Sequence, residues 1–278
     1  MIPRRIPGFE LRGRLGGGPM NHVCLAWNQT TAQPCVVKVL RSRCREDTVA
    51  NVLLRLEGEI GLSLRHPHVV RILESSPLTR PAYVVMERLH GRTLRAIVEH
   101  DHFLPIAEAV RVVRETAEGL AALHRAGWVH GDIKPENIHQ ADDGHIKLID
   151  LGFSHRPGEM SQILKNGFVL GTANYLAPEL CESQENDCFA SDLFSLGMTL
   201  FELLSGHLPY PAGTPSQTME SHRDEDPDEL SQYGDYPGIL TMLVHRLLSR
   251  DPVFRPSAES TVRQLVSVEL VLRHRRAG

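Results

Sequence analysis

The sequence predicts an α+β protein in which a small, mostly antiparallel β-sheet with one helix precedes a larger, mainly helical portion. Before residue 87, short runs of β-branched and apolar residues alternate with glycine or polar breaks, a pattern typical of strands. After residue 91, apolar residues recur at the three- and four-residue spacing of helices. A chain of 278 residues can bury a full core, as one large domain or as two lobes.

Strands and a glycine cluster dominate residues 8–40. Gly16, Gly17 and Gly18 interrupt the alternation, and glycines let a backbone approach phosphates, although a plain hairpin turn would have the same sequence. The next predicted strand, 35–40, contains Lys38 within a run of valines. This lysine is either a solvent-facing strand residue or a buried cation with a partner.

One helix is predicted over 47–65, because its apolar residues recur at helical spacing. It carries Glu57 and Glu59, and one of them could pair with Lys38 while the other remains a surface charge. Pro67 ends the helix, since proline disfavours helical geometry in the residue before it. Two more strands are predicted, over 69–73 and 83–86.

The second part of the chain opens with a polar connector over 88–91. Further helices are predicted over 105–124, 191–204, 237–249 and 257–275. The apolar helix 191–204 is too short to cross a bilayer, so it is predicted to lie in the core. Two segments are predicted to lack regular structure: a mobile surface loop over 153–170 and a solvated, disordered acidic insertion over 216–231.

Composition argues against several classes of protein. The hydrophobic and charged fractions, 41% and 23%, are those of ordinary soluble globular proteins, and a net charge of −4 without a basic stripe predicts no nucleic-acid partner. Five cysteines without a CxxC pair favour reduced thiols in a cytosol. The sequence has no apolar run of about 18 residues and no apolar core of a signal peptide near its start. We therefore expect a cytoplasmic protein without a membrane segment; its oligomeric state stays open.

The residues with the most chemistry lie in two stretches, 129–138 and 150–152. Glycine beside aspartate, and a proline, indicate a loop for the first stretch, while a buried strand over 146–149 leads to Asp150. Asn137 and Asp150 offer hard oxygen ligands that suit Mg²⁺. Asp132 could accept a proton and Lys134 could neutralise a phosphoryl oxygen. Together these groups predict phosphoryl transfer.

The ordered series of motifs resembles the eukaryotic-type protein kinase family over about residues 9–270. Within the family it is similar to bacterial serine/threonine kinases, chiefly because it is compact and has Lys134 two residues after Asp132. The resemblance implies a bilobal protein kinase fold. It also implies that residues 1–278 form a single kinase domain, with an N-lobe over about 8–87, a hinge over about 87–91 and a C-lobe over about 92–275.

The resemblance also implies ATP and Mg²⁺ as cofactors, a protein substrate and a role for each motif residue. The residues expected at the nucleotide are Leu15, Gly16, Gly18, Val23, Val36, Lys38, Met86, Glu87, Leu89, Asn137, His139 and Asp150. The expected catalytic residues are Asp132, Lys134, Lys38 and Glu57, and the expected metal ligands are Asn137 and Asp150. Glu57 is preferred to Glu59 because its spacing to His66 fits the family better. Thr172 resembles the threonine that supports serine/threonine substrates, and Glu179 and Arg255 resemble a buried structural ion pair.

Some positions depart from the family pattern. Gly131 stands where many kinases carry an arginine, so activity is predicted not to depend on loop phosphorylation through that contact. Val36 and His139 replace an alanine and an aliphatic residue around the adenine, and Gly61 is small for its position.

Three functions are compared on this basis. The leading prediction is an ATP-dependent serine/threonine protein kinase. The alternative is a pseudokinase that acts as a scaffold, with or without nucleotide. A small-molecule kinase is disfavoured by the complete closing segment 171–179.

Overall fold

The computed structural model describes residues 6–159, 172–182 and 188–277, and it divides into two compact units. The first contains the chain as far as His90 and also Asp150–Ser154, and the second contains Gly91–Ile149 and the chain from His155 onward. Most of the loop predicted over 153–170, and Gly171, lie outside the described residues. Among the residues that are described, no helix is both long enough and apolar enough to cross a membrane.

The first unit contains a five-stranded antiparallel sheet in the order β1-β2-β3-β5-β4. Its strands are β1 (Phe9–Gly16), β2 (Asn21–Asn28), β3 (Gln33–Leu40), β4 (Ile72–Ser76) and β5 (Tyr83–Glu87). Buried apolar side chains of β3 and β5, including Val37, Val39 and Val85, pack with Phe9 in a core on this sheet. The predicted small antiparallel sheet is confirmed.

One helix, α1 (Thr48–Ser63), accompanies this sheet, as predicted. Asp47 begins it as an N-cap, because its side chain accepts a 3.0 Å hydrogen bond from the backbone N–H of Ala50. The strand predicted over 69–73 is wrong in its bounds, since β4 begins only at Ile72. Val69 and Val70 are buried and precede the strand, and Val69 forms an isolated β-bridge that is not continuous with β4.

Gly61 on α1 lets the helix pack closely against β4. A Cβ atom at this position would lie 2.0 Å from Cγ1 of Ile72, far inside van der Waals contact. The small residue noted in the sequence therefore has a packing reason, because Ile72 occupies the space that a side chain would need.

We expect Gly61→Ala to destabilise the protein by about 1–3 kcal/mol, the usual cost of overpacking a well-filled core. Chemical denaturation with an unchanged m-value would measure it. Gly13→Ala is the matched control, because a Cβ there meets no atom within 4 Å. Equal stabilities of the two variants would contradict the packing argument.

The second unit contains a small three-stranded sheet and most of the helices. The strands are β6 (Gly91–Thr93), β7 (Ile138–Ala141) and β8 (Ile146–Leu148), paired antiparallel in that order. The helices are α2 (Leu94–Asp101), α3 (Ile106–Arg125), α4 (Pro178–Glu182), α5 (Phe189–Ser205), α6 (Pro215–Asp224), α7 (Gly238–Leu247) and α8 (Ala258–Ala277). The four helices predicted here correspond to α3, α5, α7 and α8, and the buried Phe194 and Phe201 place α5 in the core.

The prediction that the acidic stretch 216–231 is a disordered insertion is wrong. Most of this stretch is helix α6 and a short 3-10 turn, Leu230–Gln232. Thr214 caps the helix in a reciprocal arrangement with Gln217. The helix buries His222, whose Nδ1 lies 2.7 Å from the carbonyl oxygen of Leu176. Its buried residues are polar, so no apolar stripe marked it in the sequence.

Candidate active site

Lys38 lies in β3 with only 4% of its surface exposed, so it is the buried cation and not the solvent-facing residue. Its Nζ lies 2.7 Å from Oε2 of Glu57 and donates to Oδ1 of Asp150 at 2.6 Å. Glu59 is instead a surface charge, 3.7 Å from Arg55. The partner expected for Lys38 from sequence spacing is therefore the one that contacts it.

The charges in this cluster oppose the cost of burial. Burial alone would lower the pKa of Lys38, but the carboxylates of Asp150 and Glu57 outweigh it and the pKa is raised, so the lysine stays charged. Burial raises the pKa of Glu57 to about 7, against the lowering effect of Lys38. Acid conditions therefore protonate Glu57 and weaken its ion pair with Lys38.

Asp150 is held in an unusual backbone conformation. Its φ of 64° and ψ of 74° are left-handed, which aspartate tolerates better than most residues. It precedes the 3-10 turn Leu151–Phe153, and its Oδ1 accepts from the backbone N–H of Gly152 at 3.2 Å. This local turn aims the carboxylate at Lys38.

Gly152 belongs to the stretch 150–152 that stands out in the sequence, but it was not selected as a site residue. A Cβ atom there would lie 3.0 Å from Oδ1 of Asp150, 3.2 Å from Nζ of Lys38 and 3.4 Å from Oε2 of Glu57. The three charged groups therefore converge on a space that only glycine leaves open. A glycine two residues after an aspartate of the metal-binding type was the available signal.

For the phosphoryl transfer that the sequence predicts, we expect Gly152→Ala to lower the rate by up to about 100-fold, because the added methyl group displaces Lys38 and Asp150 by a few tenths of an ångström. Single-turnover transfer from radiolabelled ATP would measure it. Gly13→Ala, with open space around its Cβ, should transfer at the normal rate. A normal rate for both variants would contradict the argument.

In the second unit, Asp132 is buried at the centre of a hydrogen-bonded loop. Its Oδ2 lies 2.7 Å from Nζ of Lys134 and accepts from Nδ2 of Asn137 at 2.7 Å. Nδ2 of Asn137 also donates to the backbone carbonyl of Asp132 at 2.8 Å, and Lys134 donates to Oγ1 of Thr172 at 2.6 Å. The candidate base, cation and amide of the sequence motif are thus in direct contact.

Asp192, in the first turn of α5, anchors the loop that contains Asp132 by hydrogen bonds. Its carboxylate accepts from the backbone N–H groups of His130 and Gly131 at 2.8 and 2.9 Å, and it lies 2.8 Å from Nε2 of His124. Burial would raise the pKa of Asp192, but His124 and these hydrogen bonds lower it overall. An aspartate in the first turn of a helix can cap that helix or hold a neighbouring loop by hydrogen bonds, and here the contacts with the loop are present. His124 was not predicted.

Gly131 adopts a φ of +79°, a region that side chains rarely occupy. The position that departs from the family's arginine therefore also needs glycine's backbone freedom in this chain.

The glycine cluster connects β1 to β2. Gly17 has a φ of +128°, and a Cβ there would lie 2.5 Å from the backbone oxygen of Asn21. By contrast, the two glycines predicted to matter, Gly16 and Gly18, have open space around them. Gly18 donates its N–H to Oδ1 of Asn21 at 3.2 Å. Gly17 makes the turn possible, although it was not among the residues expected at the nucleotide.

The other residues expected at a nucleotide occupy varied environments. Leu15 is exposed, while Val36 and Met86 are buried and pair with each other across β3 and β5. Val23 pairs with Lys38.

Two further residues expected at the nucleotide, Glu87 and Leu89, lie at the end of β5 and just after it. The N–H of Glu87 donates to the carbonyl of Arg71 at 3.0 Å, so this N–H is already engaged within the chain. Leu89 is partly exposed.

His139 lies in β7, where it pairs with Thr93 and Lys147. Burial lowers the pKa of its imidazole, against the opposing charge of Asp142, so the ring is neutral at pH 7. Its Nδ1 is buried and makes no hydrogen bond to any described residue. The departure noted in the sequence therefore places a neutral polar ring at this position.

Glu179 and Arg255 form the expected buried ion pair. The pair is bidentate, with Nη1 to Oε1 and Nη2 to Oε2 both at 2.7 Å. Ser191 also donates to Oε1 of Glu179 at 2.8 Å, and carbonyl oxygens accept the remaining guanidinium hydrogens. Each charge of the pair is therefore balanced by the other, and further hydrogen bonds engage both side chains.

The two residues expected to ligate a metal have suitable donor atoms. Because Nδ2 of Asn137 donates to Asp132, the amide oxygen is the end that can bind a cation. Asp150 contributes a carboxylate with 37% of its side chain exposed. Amide and carboxylate oxygens are the ligand types that Mg²⁺ takes in phosphate sites.

Comparison with known proteins gives a consistent result. The pattern of the family described as "Protein kinase domain" matches residues 9–266. Serine/threonine-protein kinase PknB of Mycobacterium leprae is 31% identical over 260 residues, covering 92% of this chain and 42% of that protein. A probable serine/threonine-protein kinase, pknA2, of Bifidobacterium longum is 32% identical over 256 residues, covering 90% of this chain and 33% of that protein. The chain thus spans less than half the length of these relatives.

Proposed function

Because this chain belongs to the protein kinase domain family, we propose that it is an ATP-dependent enzyme that transfers the γ-phosphate to serine or threonine hydroxyls of proteins. The observation that carries the proposal is the network around Asp132, in which Oδ2 contacts both Lys134 and Asn137. A carboxylate with this charge support, on a loop held by Asp192, is equipped to orient a hydroxyl and accept its proton.

In the proposed mechanism each residue has one task. Asp132 accepts the proton of the attacking hydroxyl, and Lys134 neutralises charge on the transferred group. The buried, charged Lys38 binds phosphate oxygens, and Glu57 keeps it in place. Mg²⁺ bound by oxygen atoms of Asn137 and Asp150 would neutralise charge on the phosphates.

The preference for serine and threonine is proposed from the contact between Lys134 and Thr172, at 2.6 Å. Lys134 follows Asp132 by two residues, as it does in the kinases that the chain resembles. We also propose that activity does not depend on a phosphorylated loop gripped by the residue before Asp132, since that residue is Gly131.

A pseudokinase scaffold is the second candidate, and one observation favours it. His139 carries a buried Nδ1 without a hydrogen bond to a described residue, at a position where the family has an aliphatic side chain. A polar ring there could reduce nucleotide affinity.

Nucleotide binding and transfer, measured together, separate these candidates. For the kinase, Mg-ATP should raise the melting temperature by mass action, and radiolabel should pass from ATP to a generic basic protein. Lys38→Met should impair both. A melting-temperature increase without any transfer would favour a pseudokinase that binds nucleotide. The absence of both signals would favour a scaffold that binds no nucleotide.

A further inference from the structure

In the first unit, the glycine loop between β1 and β2 is tied to Arg41, the residue that follows β3. Nε of Arg41 donates to the carbonyl oxygen of Gly18 at 2.9 Å and to that of Asn21 at 3.2 Å. The backbone N–H of Arg41 donates to the carbonyl oxygen of Met20 at 2.8 Å. One arginine therefore binds both ends of the loop tip and one residue within it.

A second arginine binds the remaining carbonyl group of the tip. Nη2 of Arg43 donates to the carbonyl oxygen of Pro19 at 3.0 Å. All four consecutive carbonyl oxygens of residues 18–21 thus accept hydrogen bonds from the chain segment directly after β3. A carbonyl oxygen carries partial negative charge and repels a phosphate, so these contacts engage the very groups of the loop that would oppose an anionic ligand.

The segment that carries the two arginines is itself fixed. Residues Ser42–Cys44 form a 3-10 turn, and Arg41 is its N-cap residue. The N–H of Cys44 donates to the carbonyl oxygen of Arg41 at 2.8 Å, and Cys44 is buried. The backbone of Arg41 is therefore hydrogen-bonded through both its N–H and its carbonyl group, so its side chain starts from a defined position.

The loop tip has little other support. Gly17, Gly18 and Pro19 are exposed, so core packing does not fix them. The N–H of Gly18 donates to Oδ1 of Asn21 at 3.2 Å. Among the described residues, the N–H groups of Gly17 and Met20 have no acceptor, so they are the donors left for an anionic ligand.

We propose that Arg41 is a positioning residue that holds the loop 17–21 in its nucleotide-binding shape before ATP binds. The proposal rests on the proposed kinase function, since ATP is the ligand of this loop in that function. Without Arg41, the exposed loop would have to be ordered by the nucleotide, and the cost of that ordering would weaken the affinity for ATP. The hydrogen bonds of Nε carry this role, and the charge of the guanidinium does not.

Two substitutions separate the hydrogen bonds of Arg41 from its charge. A glutamine side chain carries its NH₂ donor as many bonds from Cα as arginine carries Nε, so Arg41→Gln keeps the donor and removes the charge. Arg41→Met has a similar length and removes both. Arg45→Met is the matched control, because Arg45 directly follows the same 3-10 turn, is exposed and makes no side-chain hydrogen bond to a described residue.

Steady-state kinetics with a generic basic protein as the substrate is the first measurement. Arg41→Met should raise the KM for ATP about tenfold and leave kcat and the KM for the protein nearly unchanged, because the loop shape affects ATP equally in the ground state and the transition state. Arg41→Gln and Arg45→Met should keep the normal KM for ATP. A normal KM for ATP in Arg41→Met would overturn the proposal, and so would an equal increase in Arg41→Gln or in Arg45→Met, since charge would then be the cause.

Amide hydrogen exchange of the nucleotide-free protein is the second measurement, and it does not depend on activity. The loop 17–21 of Arg41→Met should exchange about tenfold faster than that of the wild type, Arg41→Gln or Arg45→Met, because the loop opens more often without its donor. Equal exchange in the wild type and Arg41→Met would show that Arg41 does not order the loop. If the wild type transfers no phosphate, the kinase function fails, while this measurement still decides whether Arg41 holds the loop.

Discussion

Asp132→Asn is expected to lower the rate of phosphoryl transfer by about 100- to 10,000-fold, the usual contribution of a positioned general base. The amide has nearly the same shape as the carboxylate, but it cannot accept the proton of the attacking hydroxyl. Its NH₂ group would also face donors, because Lys134 and Asn137 both contact the carboxylate in the wild type. Single-turnover transfer of radiolabel would measure the loss.

Nucleotide binding by Asp132→Asn should be nearly normal, so Mg-ATP should still raise its melting temperature. Asp143→Asn makes the same chemical change at an exposed position of the turn between β7 and β8, and it should leave transfer unchanged. Transfer by Asp132→Asn close to the wild-type rate would refute the role of Asp132 as the base.

Arg255→Ala is expected to destabilise the protein by about 3–5 kcal/mol, the cost of leaving one member of a buried ion pair uncompensated. The remaining Glu179 carboxylate would keep Ser191 as a donor but would lose both charged hydrogen bonds. Three backbone carbonyls would lose a donor as well. Urea denaturation would report the change in free energy of unfolding.

The double variant Glu179→Ala/Arg255→Ala should lose less stability than the sum of the two single variants, because no buried charge is left alone. Arg250→Ala is the matched control. It pairs with the exposed Asp226 at 3.3 Å, so its loss should cost at most about 1 kcal/mol. A cost for Arg255→Ala as small as that of Arg250→Ala would show that the buried pair contributes little.

Much of the fold could be predicted because local patterns decided it. The helices α1, α3, α5, α7 and α8 have apolar residues at helical spacing, and the strands β3 and β5 are runs of β-branched residues. The helix α6 was missed, since its buried residues are polar and its composition is that of a solvated segment. The bounds of β4 were misplaced, because burial of Val69 and Val70 resembles a strand in the sequence.

The site, like the fold, was predicted where contacts are local in the sequence and missed where they are not. Motif spacing was enough to select Asp132, Lys134 and Asn137, since they lie within six residues on one loop and their contacts are local. Gly152 was not selected, because its importance depends on Lys38 and Glu57, which lie far away in the chain.

By itself, the sequence determined the order of the elements and the identity of the charged groups available for chemistry, because both depend on residue type and on spacing along the chain. Tertiary structure alone decided that Lys38 is buried with Glu57 and Asp150, and that Asp192 accepts hydrogen bonds from the backbone of His130 and Gly131. The physical reason is that the energy of a charge depends on its burial and on its neighbours, and folding brings those neighbours from distant parts of the chain.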